Sequence, residues 1–248
     1  VRVLDVGKSE EYFYYVMEYI SGQSLGNVVK ERGVLSEEKV VHVGRSIAQA
    51  LDAADKLNLI HRDIKPANLL VTNDGRVKLA DFGIARETGQ TAITQEGHTV
   101  GTPNYVSPEQ ARAKSDIDIR SDIYSLGATL YHLATGRVPF EGSNAMDIIL
   151  RHAHELADPP HEVNPEISEE LSEIILLMMN KEPEHRFQHP FEIVDALDEL
   201  EAVGAAELEE SSLGTKTRAK PRQESSMVFG ALVSALVGVL LVYGTVEI

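Results

Sequence analysis

The chain has 248 residues, of which 43% are hydrophobic and 25% are charged, a composition that excludes a disordered, collagenous or coiled-coil protein. Its 39 acidic residues outnumber its 23 lysines and arginines, and the formal net charge of -16 argues against general nucleic-acid binding, which depends on basic groups neutralising phosphates. The chain has no cysteine, which excludes disulfide scaffolds, thiolate metal sites and cysteine nucleophiles.

The first part of the chain predicts short strands and two helices. Val3–Val6 and Tyr12–Tyr19 are rich in Val, Tyr and Phe and flank a glycine-containing turn, which predicts an antiparallel strand pair. Ser24–Glu31 is predicted to be a short helix. Ser36 is a favourable N-cap for a longer helix over about 37–57, because apolar residues recur there on one face.

The remainder is predicted to be mostly helical after one further hairpin. Leu69–Thr72 and Val77–Ala80 flank Asn73-Asp74-Gly75-Arg76, a hairpin turn signal. Ile119–Thr135 is apolar on almost every face, which predicts a buried central helix. Further helices are predicted at 144–152, 168–179 and 190–203. Because strands come first and helices follow, the predicted fold class is α+β.

The C-terminal part of the sequence has a different composition. Residues 204–226 are rich in Ala, Glu, Ser, Lys and Arg, which predicts a linker. Met227–Val246 is 20 residues long and uncharged, enough to cross about 30 Å of hydrocarbon as a helix, which predicts a transmembrane segment. Four basic residues closely precede it, so the positive-inside rule predicts a single-pass membrane protein with residues 1–226 in the cytoplasm.

The membrane prediction suggests two partners. The basic residues of the linker, Lys216, Arg218, Lys220 and Arg222, should favour anionic membrane lipid headgroups. Small residues also recur every four positions in the transmembrane segment, a pattern that could permit close helix packing and a homodimer. Gly and Ala are common in membrane helices, however, so the pattern also fits a monomer.

The segment from His61 to Asn68, followed by Asp81-Phe82-Gly83, carries the most informative chemistry. If the hairpin folds back, Asn68 and Asp81 converge, and both offer the oxygen ligands that Mg²⁺ prefers. Lys65 adds positive charge near a transferring phosphoryl group, and Asp63 can accept a proton from an attacking hydroxyl. The alternative is that these Asp and Asn residues only cap turns.

These motifs together resemble those of the eukaryotic-type protein kinases. His61-Arg62-Asp63 resembles the catalytic loop, and Asp81-Phe82-Gly83 resembles the magnesium motif. Ser107-Pro108-Glu109 stands where the family has Ala-Pro-Glu. Lys65 resembles the lysine found at this position in the serine/threonine branch of the family. The sequences of residues 101–110 and 121–127 most resemble those of bacterial transmembrane serine/threonine kinases.

The resemblance covers residues 1–203 and implies a protein-kinase-like fold. Residues 1–20 would be a remnant of the small lobe and hinge, and 21–203 the mainly helical large lobe. Residues 204–226 would form a juxtamembrane linker and 227–246 a transmembrane helix. The implied activity is transfer of the ATP γ-phosphoryl group to Ser or Thr hydroxyls of protein substrates, with ATP and Mg²⁺ as cofactors.

The resemblance also implies roles for the residues of the catalytic segment. Asp63 would be the catalytic base, and Lys65 would stabilise the γ-phosphoryl group. Asn68 and Asp81 would be the magnesium ligands.

Four further residues resemble the family's nucleotide contacts. Met17 resembles the residue that guards the back of the adenine pocket, and Leu70 resembles the pocket floor. The Glu18 carbonyl and the Ile20 amide resemble the hinge groups that bond the adenine edge. Met17 and Leu70 would also suit the core of another fold.

The resemblance implies regulatory residues in and around the activation segment. Arg62 resembles the arginine that pairs with an activation-loop phosphate. Thr94 and Thr99 are candidate phosphosites, because they lie in the middle of this segment. Thr102 resembles the threonine that touches the catalytic Asp and Lys. The alternative is that loops are rich in Thr in any case.

Five other residues would be structural. Glu109 would form an ion pair with Arg186, and Asp122 would brace the backbone of the catalytic loop. His61 and Phe82 would stack in the internal spine, although both would be core residues under any fold.

Three family features are missing from these 248 residues. No G-x-G-x-x-G occurs, and the family's lysine and glutamate would lie upstream of Val1. This pattern predicts an active kinase that is truncated at its N-terminus, and little or no activity for the segment alone, because the phosphates would lose most of their positioning. The alternative is a catalytically silent pseudokinase that acts as a scaffold at the membrane.

Overall fold

The structure, a computed structural model, describes residues 1–10, 12–81 and 103–213, with backbone alone for 207–213. The chain divides into two compact units, Val1–Asp195 and Ala196–Ile248. Every described strand, and every described helix but the last, lies in the first unit, and the described part of the second unit is the remainder of that last helix.

The described elements follow the predicted order of strands first and helices after. The strands are β1 (Val3–Lys8), β2 (Phe13–Met17), β3 (Gly22–Ser24), β4 (Leu69–Thr72) and β5 (Val77–Leu79). The helices are α1 (Leu25–Arg32), α2 (Glu37–Asp55), α3 (Pro108–Ala111), α4 (Ile119–Thr135), α5 (Ala145–His154), α6 (Pro160–Val163), α7 (Glu169–Met178) and α8 (Pro190–Leu213). The predicted α+β class is confirmed.

The strands form two small antiparallel sheets. β1 pairs with β2, with Val3 opposite Met17 and Lys8 opposite Phe13, which confirms the first predicted strand pair. In the second sheet the order is β3-β4-β5. The large apolar side chains of β1 and β2 are exposed, and Phe13 reaches 82% exposure. The apolar core therefore lies elsewhere, among the helices.

The predicted hairpin joins β4 to β5 and sets the geometry of the functional segment. Gly75 has a φ of 84° in the turn, a conformation that glycine adopts without steric cost. The two strands pair with Leu69 opposite Leu79, and the Ala80 N–H donates to the Asn68 carbonyl at 2.9 Å. The residue before Asp81 is thus bonded to Asn68.

The long helix α4 is the centre of the core and has the predicted bounds. Fifteen of its positions are buried, and it packs against α2 and α7. The Asp118 side chain caps its first turn by accepting from the Arg120 N–H. Gly136 ends it with a φ of 72°, the left-handed conformation usual after a helix.

α1 begins at Leu25, one residue after its predicted start, and α2 begins at the predicted Glu37, but α2 ends earlier than predicted. Ser24 caps α1 by accepting from the Asn27 N–H, whereas Ser36 precedes α2 without a side-chain capping bond. The chain leaves α2 after Asp55 because Asn58 adopts a left-handed φ of 54°, which a regular helix cannot contain. The predicted end near residue 57 was therefore two residues too late.

The last helix, in contrast, extends beyond its prediction. The helix predicted at 190–203 continues to Leu213, so residues 204–213 of the predicted linker are helical. The added segment is rich in Ala, Glu and Leu, which are strong helix formers. Among the described residues, no helix combines the length and apolar character that a bilayer span requires. The predicted transmembrane segment, 227–246, lies outside the described residues.

Candidate active site

The backbone of the segment that carries Asp63 is fixed by a buried carboxylate from α4. The fully buried Asp122 accepts a hydrogen bond from the His61 N–H at 2.6 Å and from the Arg62 N–H at 2.7 Å. Burial raises the pKa of Asp122 to about 7, although both backbone bonds act to lower it. Arg62 has a φ of 65°, a strained conformation that costs about 1–3 kcal/mol and persists only where surroundings enforce it. Asp122 supplies that restraint immediately before Asp63.

His61 connects the same segment to the end of β5. Its ring is buried, and Nε2 lies 3.0 Å from the Ala80 carbonyl; a carbonyl only accepts, so Nε2 is the donor. The Asp63 N–H donates to Nδ1 at 3.3 Å. Burial lowers the pKa of His61, which agrees with a neutral ring that donates at one nitrogen and accepts at the other.

The side chains of Asp63, Lys65 and Asn68 converge. Lys65 Nζ lies 2.7 Å from Asp63 Oδ2. Asn68 Nδ2 donates to the Asp63 carbonyl at 2.8 Å and to Asp63 Oδ2 at 3.0 Å. Because the amide nitrogen of Asn68 donates both hydrogen bonds to Asp63, the amide oxygen is the atom of this side chain that can bind a cation.

Asp81 follows β5 beside this cluster. The bond between Ala80 and Asn68 places it one residue beyond the last paired position of the hairpin, as the folded-back hairpin predicted. Its φ is 56°, and its Oδ1 accepts a hydrogen bond from the Tyr15 hydroxyl at 2.7 Å. A carboxylate and an amide oxygen at one end of a hairpin suit a hard cation such as Mg²⁺.

The donor set is small, and that also suits Mg²⁺. Among the described residues, no group of three or more His, Cys, Asp or Glu side chains could hold a metal alone. Mg²⁺ is usually bound by one or two carboxylates and completes its shell with water and substrate phosphates. The residues present therefore fit a cation that arrives with a phosphate ligand.

The four predicted nucleotide contacts lie in and after β2 and in β4. Met17 ends β2 and is 42% exposed, whereas Leu70 and Ile20 are half-buried. The Glu18 N–H donates to the Arg2 carbonyl, and its carboxylate lies 2.8 Å from Lys78 Nζ. Contacts to a nucleotide at these positions remain predictions.

A buried ion pair joins α3 to the segment before α8. Arg186 donates to both carboxylate oxygens of Glu109, at 2.8 and 2.9 Å. It also donates to the carbonyls of Asn180, Arg120 and Lys181, so each of its five N–H groups has an acceptor. Burial raises the pKa of Glu109, but the bonds and charge of Arg186 outweigh this and the net pKa is lowered. Glu109 lies two residues after Ser107, the N-cap residue of α3.

Lys181 lies next to this pair and is half-buried. Its Nζ donates to the Tyr124 hydroxyl at 3.2 Å and to the His152 carbonyl at 3.0 Å. It also lies 4.5 Å from the centroid of the Phe140 ring. Burial, helped by nearby arginine charges, lowers the pKa of Lys181 to about 8.

We expect Lys181 to make stability rise with pH above about pH 8. Its folded pKa of about 8 is below the ordinary value of 10.5. The cost of burying the charge is therefore fully present below pH 8 and disappears as pH rises towards 10.5. Lys181→Met removes this titration, so the stability of the wild type relative to the variant should increase over that range. Urea unfolding at several pH values measures it.

The control for this prediction is Lys56→Met, which changes a lysine whose side chain is 72% exposed. It separates the effect of removing any lysine from the effect of removing the buried one. A stability difference between wild type and Lys181→Met that stays constant across the range would contradict the prediction.

Some residues of the site had no predicted role, and some predicted residues are not described. Gln110 donates to the Arg62 carbonyl at 3.1 Å and forms a capping box with Ser107, for which the S-x-x-Q pattern was a visible signal. Tyr15 and Lys181 had no local signal. The predicted residues Phe82, Thr94, Thr99 and Thr102 lie outside the described residues.

Comparison with known proteins gives consistent matches. The sequence model of one protein family, the protein kinase domain, matches residues 1–196. The chain is 41% identical over 200 residues to a probable serine/threonine-protein kinase of Clostridium perfringens, covering 81% of this chain and 29% of that protein. It is 36% identical over 188 residues to the serine/threonine-protein kinase PrkC of Bacillus subtilis, covering 76% of this chain and 29% of that protein.

A solved structure is also similar. The crystal structure of Rad53 in complex with AMP-PNP has a TM-score of 0.66 and 27% identity, and the match covers 79% of this chain and 49% of that one. The chain spans less than a third of the length of the two bacterial relatives. The similarity thus concerns one portion of longer proteins.

Proposed function

The chain belongs to the protein kinase family, and on that premise we propose that it is the catalytic portion of a serine/threonine protein kinase. In this proposal it transfers the γ-phosphoryl group of ATP to Ser or Thr hydroxyls of protein substrates. The observation that carries the proposal is the cluster of Asp63, Lys65 and Asn68 on a loop braced by Asp122. Relatives named serine/threonine-protein kinases support it, as does the AMP-PNP complex of Rad53.

Mg²⁺ would be held by Asn68 and Asp81, where it would neutralise phosphate charge. The side chains of Asp63 and Lys65 would carry out the other catalytic tasks. Asp63 accepts the proton of the attacking hydroxyl, and its carboxylate is oriented for this by Lys65 and Asn68. Lys65, 24% exposed, brings positive charge to the side of the transferring group. Positioning of this kind accounts for most of the catalysis in phosphoryl transfer.

We also propose that these 248 residues have little or no kinase activity on their own. They contain no G-x-G-x-x-G loop, which in the family covers the ATP phosphates. A chain without that loop would hold the phosphates poorly, so the segment alone should transfer phosphate slowly or not at all.

The membrane location is a further part of the proposal. The uncharged segment 227–246 and the four basic residues before it support a single-pass anchor with the kinase portion in the cytoplasm. The basic residues would contact anionic lipids, and the small residues in the segment would allow a homodimer.

A chimera tests the proposed reaction. It joins a small-lobe segment of a bacterial serine/threonine kinase, with the family's glycine-rich loop and lysine, ahead of Val1. Incubation with γ-labelled ATP, Mg²⁺ and mixed Ser, Thr and Tyr peptides should label Ser or Thr, as identified by phosphoamino-acid analysis. The unaltered chain should give little or no label. A folded chimera that binds ATP and transfers no phosphate would instead favour the pseudokinase scaffold.

A further inference from the structure

Tyr15 connects the first strand pair to the end of the functional hairpin. It is the middle residue of β2, and its hydroxyl donates to Asp81 Oδ1 at 2.7 Å. Sixty-six positions of sequence separate the two residues. Among the described residues, the Asp81 carboxylate makes its side-chain hydrogen bond with this hydroxyl.

A second contact holds β2 beside β5. The Glu18 carboxylate, one residue after β2, lies 2.8 Å from Lys78 Nζ in β5. Both side chains of this ion pair are about three-quarters buried, with exposures of 27% and 29%. Tyr15 therefore reaches Asp81 from a strand that is already fixed next to it, which limits the entropy lost in forming the bond.

Asp81 needs such a restraint if it is to present a defined oxygen. It lies two residues beyond the end of β5, it is exposed, and its φ of 56° lies in the left-handed region. A carboxylate in this setting can rotate about its side-chain torsions. The Tyr15 bond fixes one oxygen, and the other oxygen then has a defined direction.

We propose that Tyr15 is a positioning residue for Asp81, holding Oδ1 by its hydroxyl so that the second carboxylate oxygen is presented to the divalent cation. This rests on the proposed function, in which Asp81 is a cation ligand. Carboxylates that bind metals are commonly oriented by outer hydrogen bonds, and loss of such a partner costs about 10–100-fold in metal affinity or activity.

The test measures cation binding rather than activity. Mn²⁺ serves as a paramagnetic probe, and its binding in the presence of ADP to the chimera that carries the glycine-rich loop ahead of Val1 is followed by electron paramagnetic resonance; the chimera without further substitutions is the wild type of this comparison. Tyr15→Phe removes only the hydroxyl and should weaken Mn²⁺ binding by about 10–100-fold. The melting temperature, measured in parallel, should change little, because the bond is solvent-accessible.

Tyr14→Phe is the matched control, since Tyr14 immediately precedes Tyr15 in β2, and adjacent residues of a strand point to opposite faces. It should bind Mn²⁺ like the wild type. Asp81→Asn should bind weakly, and Tyr15→Phe should cause no further loss in the double variant.

The outcomes separate the two proposals. If Asp81→Asn weakens Mn²⁺ binding but Tyr15→Phe does not, Asp81 is a ligand and the role of Tyr15 is wrong. Tighter binding by Tyr15→Phe would also overturn the inference, because the hydroxyl would then compete with the cation. If Asp81→Asn binds like the wild type, or the wild type shows no saturable binding, the proposed ligand role fails and the inference fails with it.

Discussion

Replacing Arg186 with methionine is expected to lower the free energy of unfolding by about 3–5 kcal/mol, the usual cost of breaking a buried ion pair. The side chains of Arg186 and Glu109 are 0% and 6% exposed. The substitution removes the hydrogen bonds that Arg186 donates to the Glu109 carboxylate and to three backbone carbonyls. Such a loss should lower the melting temperature by about 10 °C in a domain of this size.

Calorimetry and urea unfolding measure this prediction, and two further variants control it. Arg112→Met removes a cation that is 31% exposed and 3.6 Å from Glu182, so it should cost less than about 1 kcal/mol. The double variant Glu109→Gln with Arg186→Met removes the stranded charge and should recover part of the loss. A single Arg186→Met variant as stable as Arg112→Met would show that the pair does not hold the fold together.

Replacing Asp63 with asparagine in the chimera is expected to lower kcat by about 10²–10⁴-fold, the usual contribution of a general base. Asparagine keeps the size of the side chain and an oxygen for Lys65 and Asn68 to bond, so the loop should keep its shape. The amide cannot accept the proton of the attacking hydroxyl. The KM for ATP should change only a few-fold, because Asp63 is proposed to act on the hydroxyl and not on the nucleotide.

Steady-state kinetics with a Ser or Thr peptide measure this effect. Asp74→Asn is the matched control, because Asp74 lies in the hairpin turn and its side chain is 58% exposed. It should leave kcat unchanged. A kcat for Asp63→Asn within about tenfold of the wild type would contradict the role of Asp63 as the base.

The sequence predicted those parts of the fold that local chemistry determines. The bounds of α4 follow from its continuous apolar character and from the Asp118 cap and Gly136 that enclose it. The hairpin follows from its turn residues, and its pairing brings Asn68 beside the chain that leads to Asp81. Local signals suffice where one turn or one helix face decides the structure.

Other features depend on contacts that local patterns do not encode. Tyr15 looks like one more aromatic residue of a strand, and its partner is distant in sequence. Lys181 looks like a surface lysine, yet three separate segments enclose it. The prediction that Asp122 braces the loop came from the family resemblance alone, because nothing in its helix shows where the carboxylate points. Tertiary packing decides these positions.

The most direct test is whether Asp63 and Asn68 act as one catalytic unit in phosphoryl transfer. Single-turnover transfer from γ-labelled ATP would be measured for the chimera and for Asp63→Asn, Asn68→Ala and the double variant. Because Asn68 bonds both the carbonyl and the carboxylate of Asp63, we predict a double variant about as slow as the slower single one, as for residues that act together. A double variant whose rate loss equals the product of the two single losses would contradict a catalytic site at this loop. So would a chimera whose transfer rate is unchanged by both substitutions.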